Sequence, residues 1–159
     1  MSASLARLCR VIVAASVVVG CSLGGGRDAR ATLGGDVASV AVNQQRLGGA
    51  LQVQKLASGV RHELHLSSGM VIHEYVSASG AVYAITWRGP RMPDLRELLG
   101  PYFAQLARHD SHPRGGHHRM TMTGADLEIR SSGHRRSFEG RAWVPSLVPA
   151  GVHLDTALD

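Results

Sequence analysis

Three side chains of complementary chemistry, His62, Glu74 and Tyr83, fall where hairpin pairing would set them side by side on neighbouring strands. A carboxylate next to an imidazole raises the imidazole's affinity for a proton, and such a pair can exchange protons with a bound group. This row is the chain's candidate for acid–base or ligand-contacting work. The same residues also suit a plain cross-strand network at a sheet's rim, where each pair contributes roughly 0.2–1 kcal/mol. The residue types allow both readings.

Two histidine patterns invite a metal reading. The segment 109–118, HDSHPRGGHH, holds four histidines, of which His112, His117 and His118 would be the ligands for a borderline metal such as Zn or Cu. A glycine-rich loop imposes no ligand geometry and matches no closed site, so it reads first as a solvated polar loop. His62-Glu63-Leu64-His65 resembles a zinc-protease motif but is one residue short, and it lies in a segment that alternates as a strand rather than on a helix.

Strand alternation must position these groups. Ser67-Ser68-Gly69 is a three-residue turn with glycine at the left-handed position. It pairs Leu66 with Met70, Leu64 with Ile72, His62 with Glu74 and Val60 with Val76. A second turn, Ser77 to Gly80, would pair Val76 with Ala81, Glu74 with Tyr83, Ile72 with Ile85 and Met70 with Trp87. One face then carries Val60, Leu64, Leu66, Met70, Ile72, Val76, Ile85 and Trp87; the other carries Arg61, Glu63, His65, His73 and Thr86.

Pro93 and Asp94 open a helix in which Leu95, Leu98, Leu99, Tyr102 and Leu106 recur on one side, with a kink expected at Gly100-Pro101. Leu127 to Arg130 and Arg135 to Val144 read as a closing hairpin turning at Ser132-Gly133, with Phe138, Ala142 and Val144 on one side. Arg135, Arg136 and Arg141 make its outer face basic, a surface suited to lipid headgroups or acidic envelope polymers. The expected fold is therefore α+β: an antiparallel sheet of about five strands, a meander plus a C-terminal hairpin, with one kinked helix on one face.

The N-terminus reads as an export signal. Arg7 and Arg10 precede an apolar run from Val11 to Val19, followed by small residues. Even stretched to Gly26 the run is shorter than the roughly 20 residues that cross a bilayer core. Two cleavage sites fit: a permissive lipobox ending at Gly20, which would lipidate Cys21, and Ala29-Arg30-Ala31, which would release a protein beginning at Thr32. Cys9 and Cys21 are the chain's only cysteines, so the body of the protein relies on its apolar core rather than on disulfides. The expected organisation is a signal over 1–31, a flexible lead-in over 32–58 with a possible strand from Leu51 to Leu56, one domain over 59–153 and a short tail.

Charge argues against nucleic acid. The formal charge is +5, but beyond residue 31 there are thirteen bases against eleven acids, or +2, without the concentrated basic face that displaces counterions from phosphates. No glycine-rich phosphate loop, nucleophile–base–orienter set or closed metal site can be assembled, so no cofactor is expected.

The segments ATLGG (31–35), SGMVIHEY (68–75), GAVYAITWRGP (80–90), PDLRELLGPYF (93–103) and RSSGHRRSFEGRAWVP (130–145) resemble the exported proteobacterial proteins grouped as domain-of-unknown-function family 2844. The likeness covers most of the chain after the signal and is most specific in its middle third. It implies export from a Gram-negative cell and favours a start near Ala31; it implies no activity. The sequence thus points to an exported, periplasmic or secreted binding module for an envelope protein or polymer. Its membrane contact would be limited to a lipid on Cys21. The alternatives are a small periplasmic enzyme using His62 and Glu74, or histidine-loop metal capture.

Overall fold

The computed structural model describes residues 32–36, 50–108 and 119–158. Within these residues seven antiparallel strands form one sheet: β1 (Ala50–Leu56), β2 (Gly59–His65), β3 (Val71–Ser77), β4 (Val82–Gly89), β5 (Met120–Thr123), β6 (Glu128–His134) and β7 (Ser137–Trp143). Their order is β1-β2-β3-β4-β7-β6-β5, so the N-terminal meander meets the C-terminal one at β4 and β7.

The sheet has two more strands than the five expected, both at its edges; β1 is the possible strand read at Leu51–Leu56, whereas β5 has no counterpart in that reading. β1 is almost wholly exposed, with Val53 at 61% exposure, so burial leaves little apolar alternation in its sequence. β5 has only four residues, Met-Thr-Met-Thr, of which Met122 alone is buried. The expected lead-in also contributes to the packed body. Leu33 is fully buried, its N–H donates to the Leu98 carbonyl, and Asp36 bridges to Ala81.

The β2–β3 register is the expected one, Leu64 opposite Ile72 and His62 opposite Glu74, closed by a turn with Gly69 at φ 79°. The β3–β4 register departs from expectation in two steps. The turn closes between Ser77 and Ala81, and a β-bulge follows: Val76 faces Val82 while Tyr75 faces Ala84, leaving Tyr83 as the extra residue. Beyond the bulge Ile72 faces Trp87 and Glu74 faces Ile85. A displacement of two residues returns Ile85 and Trp87 to the expected face, but the bulge removes Tyr83 from it.

The helical segment breaks as expected. Asp94 caps α1 (Leu95–Leu99), its carboxylate accepting from the N–H groups of Arg96 and Glu97 at 2.8 and 3.3 Å. Gly100 and Pro101 then force a 3-10 turn (Gly100–Tyr102) before α2 (Phe103–Arg108). Gly100 sits at φ 51°, and a Cβ there would lie 2.8 Å from Thr32 Cβ, so both conformation and space call for glycine. Among the described residues no helix is long and apolar enough to cross a membrane.

The main core lies between the sheet and these helices. Leu64, Ile72, Val76, Ile85, Trp87, Ile129 and Ala142 from the sheet pack with Leu98, Leu99 and Leu106. Trp87 lies across β7 where Gly140 has no side chain; a Cβ on Gly140 would collide with its ring. Burying a large apolar side chain in such a layer stabilises by about 1.5–3 kcal/mol. A smaller core forms on the opposite face. Tyr75, Tyr83, Ala84 and Trp143 are covered there by Leu158 and the segment from Leu147 to Leu154, so the expected tail is part of the packed body, ending in α3 (Leu154–Ala157). That segment shields one end of the face and leaves the rest open.

Candidate functional site

His62 and Glu74 are partners across β2 and β3 on the helix-covered face. They are 6% and 1% exposed, sealed among core side chains. Burial disfavours both charged forms: it pushes the Glu74 carboxyl up to about 7 and lowers the His62 imidazole. His62 Nδ1 and Glu74 Oε2 have no hydrogen-bond partner.

Tyr83 does not join them. The bulge turns it to the other face, where it is 1% exposed with its ring 6.2 Å from that of Tyr75. The expected three-residue row is therefore a buried pair plus a tyrosine on the far side of the sheet. His112, His117, His118 and Cys21 lie outside the described residues. Within the described residues no group of three His, Cys, Asp or Glu side chains is arranged to hold a metal ion.

The accessible concavity is the open part of the second face, a trough of about 700 Å³, within the range of small-ligand clefts. Strand pairing places one residue from every strand in a single rank across it: Gln52, Glu63, His73, Thr86, Arg141, Arg130 and Thr121. The next rank towards the rim carries His65, Val71, Arg88, Glu139 and Ser132. Neither His62 nor Glu74 lines the trough.

The two halves of the trough differ in charge. On the β2–β3 side Glu63 gathers two imidazoles and a guanidinium around it: its Oε1 is 2.6 Å from His65 Nε2, and its Oε2 is 3.4 Å from His73 Nε2 and 3.5 Å from Arg61 Nη2. On the β5–β7 side arginines dominate. Arg119, Arg130, Arg141 and Arg88 line it, with Glu139 held 3.7 Å from Arg88. Of the basic residues expected on the return strand, Arg141 reaches the trough, whereas Arg135 and Arg136 occupy the exposed β6–β7 turn.

Alternation in the sequence already assigns Glu63, His65, His73 and Thr86 to this face. The sequence does not mark Arg130 or Thr121: the β6–β7 turn falls at Arg135-Arg136 rather than at the expected Ser132-Gly133, which sets Arg130 opposite Arg141, and β5 is too short to show its alternation. The arrangement can hold an anion: guanidinium groups supply charge and directed N–H donors, and neighbouring hydroxyls supply further hydrogen bonds.

No curated protein and no solved structure gave a significant match. The family model described as Protein of unknown function (DUF2844) matches residues 29–157, a span that takes in all seven strands and both arginine-bearing ranks. With the sheet and the segments from SGMVIHEY to RAWVP all inside that match, the chain belongs to family DUF2844.

Proposed function

We propose that the protein is an exported, non-catalytic binding module of the cell envelope that holds an acidic partner on the open face of its sheet. The observation that carries this reading is the arginine-rich half of the trough, where Arg88, Arg119, Arg130 and Arg141 converge on an accessible concavity. Export rests on the basic and apolar pattern from Arg7 to Val19 and on the two cleavage sites that follow it.

The burial of His62 and Glu74 supports the binding reading over the enzymatic alternative. A general acid or base must reach the proton it moves, and a carboxyl 1% exposed in the main core reaches none on a bound substrate.

Two measurements test the proposal. Mass spectrometry of the protein recovered from its host should give a chain starting at Thr32 or an acylated Cys21; an unprocessed N-terminus in the cytoplasm would refute export. Titration with an acidic polysaccharide should show salt-sensitive binding that a neutral one lacks, and equal binding of both would refute recognition through charge.

A further inference from the structure

We infer that Arg130 and Arg141 form a carboxylate site in the trough and that its ligand is a sugar acid within an acidic polysaccharide, an inference that rests on the binding reading above. Arg130 and Arg141 are direct partners across β6 and β7. Like charges set opposite one another in a sheet are destabilising, so this pairing opposes folding unless an anion joins them. Both guanidinium groups are anchored on the same aromatic ring, 5.4 and 5.8 Å from the centre of Trp143, which restrains them before any ligand arrives.

A carboxylate already sits at this place. Asp155 of α3 accepts a hydrogen bond from Arg141 Nη2 at 3.1 Å, although its own side chain is 85% exposed. That contact shows the chemistry Arg141 accepts, and a competing carboxylate can displace the exposed Asp155 side chain while α3 stays packed. Among the described residues no carboxylate lies within ion-pair distance of Arg130 or of Arg119 on the trough wall. The two carboxylates that line the trough are engaged elsewhere, Glu63 with Arg61, His65 and His73, and Glu139 with Arg88 and Ser132.

The surroundings favour a hydroxylated acid. Thr86 and Thr121 stand in the same rank as the arginine pair, and Ser132 stands in the next, all lining the concavity. Hydroxyls can donate and accept, which matches the vicinal hydroxyls of a sugar ring as the guanidinium fork matches its carboxylate. Binding displaces Asp155 from Arg141, so the chain's own acid acts as a competitor for the site.

Oligogalacturonate titrated into the purified full-length protein is the test, with affinity from calorimetry and the arginine Nε–Hε signals followed by NMR. Arg130→Gln and Arg141→Gln should each weaken binding by about ten-fold, the loss expected for one charged hydrogen-bonded contact. Asp155→Asn should strengthen it by a few-fold, and because that residue is exposed the variant tests the site without threatening the fold. Oligogalacturonate that binds the wild type and all three variants alike overturns the site while leaving acidic-polymer recognition in place. Monomeric galacturonate that shifts the Arg130 and Arg141 signals while the oligomer fails to bind upholds the site and overturns the polymer reading. Tighter binding of poly-glutamate than of oligogalacturonate overturns the sugar-acid assignment in favour of an acidic peptide.

Discussion

His62 and Glu63 are neighbours in sequence and each meets an oppositely charging partner on β3, yet the two groups share no environment. His62 faces Glu74 in the core, where one nitrogen and one oxygen find no partner. Glu63 faces His73 on the open side, within 3.5 Å of three cationic or protonatable groups. Water accounts for the difference. On the open face solvent and neighbouring charges stabilise ionised forms, whereas in the core desolvation outweighs proximity and holds Glu74 near neutrality in charge until about pH 7. A histidine beside a glutamate in a sequence therefore carries no functional meaning until the faces are assigned.

The contrast can be broken most strongly by removing apolar support beside His62. Leu64→Ala should cost about 3 kcal/mol, within the usual range for a buried leucine, because Leu64 is fully buried. Urea unfolding measures this; a loss below about 1 kcal/mol would show that the helix-covered layer is loosely packed.

The second effect depends on pH and has a definite sign. Glu74 keeps its proton in the folded chain up to about pH 7 but releases it near 4.5 when unfolded, so between those values the folded state binds more protons and stability falls as pH rises. At ~1.4 kcal/mol per pH unit the loss approaches about 3 kcal/mol at pH 8. Glu74→Gln should then be more stable than the wild type at pH 8 and nearly equal to it at pH 4. An equal difference at both values would show that Glu74 is ionised in the fold. His62, lowered by burial, contributes the opposite slope: its share of stability is complete above its ordinary 6.5 and declines as pH falls below it.

The smallest effect belongs to the open face. Glu63→Gln should change stability by under about 1 kcal/mol and more weakly still in high salt, since its partners are partly solvated. A loss comparable to that of Leu64→Ala would mean that the two faces are energetically alike.

Much of this was legible along the chain. The Gly69 turn set the β2–β3 register, and alternation assigned Leu64 and Glu63 to opposite sides, because a strand repeats every two residues whatever its neighbours do. The break at Gly100-Pro101 followed from proline's missing N–H and clashing ring. Tyr83 could not be placed in this way. A bulge adds one residue to a strand and reverses the face of that residue while leaving turn signals and composition unchanged.

Local sequence thus determined which side chains share a face in the β2–β3 hairpin, where the helix breaks, and the segments by which the family is recognised. Only the tertiary structure decided that β4 pairs with β7, a contact between strands roughly fifty residues apart that no local rule specifies. That one pairing joins the two meanders and sets Arg141 beside Thr86, completing the rank that runs from Glu63 to Thr121. It also decided which histidine–glutamate pair was closed to water: faces are chosen locally, but burial depends on what the rest of the chain lays over them.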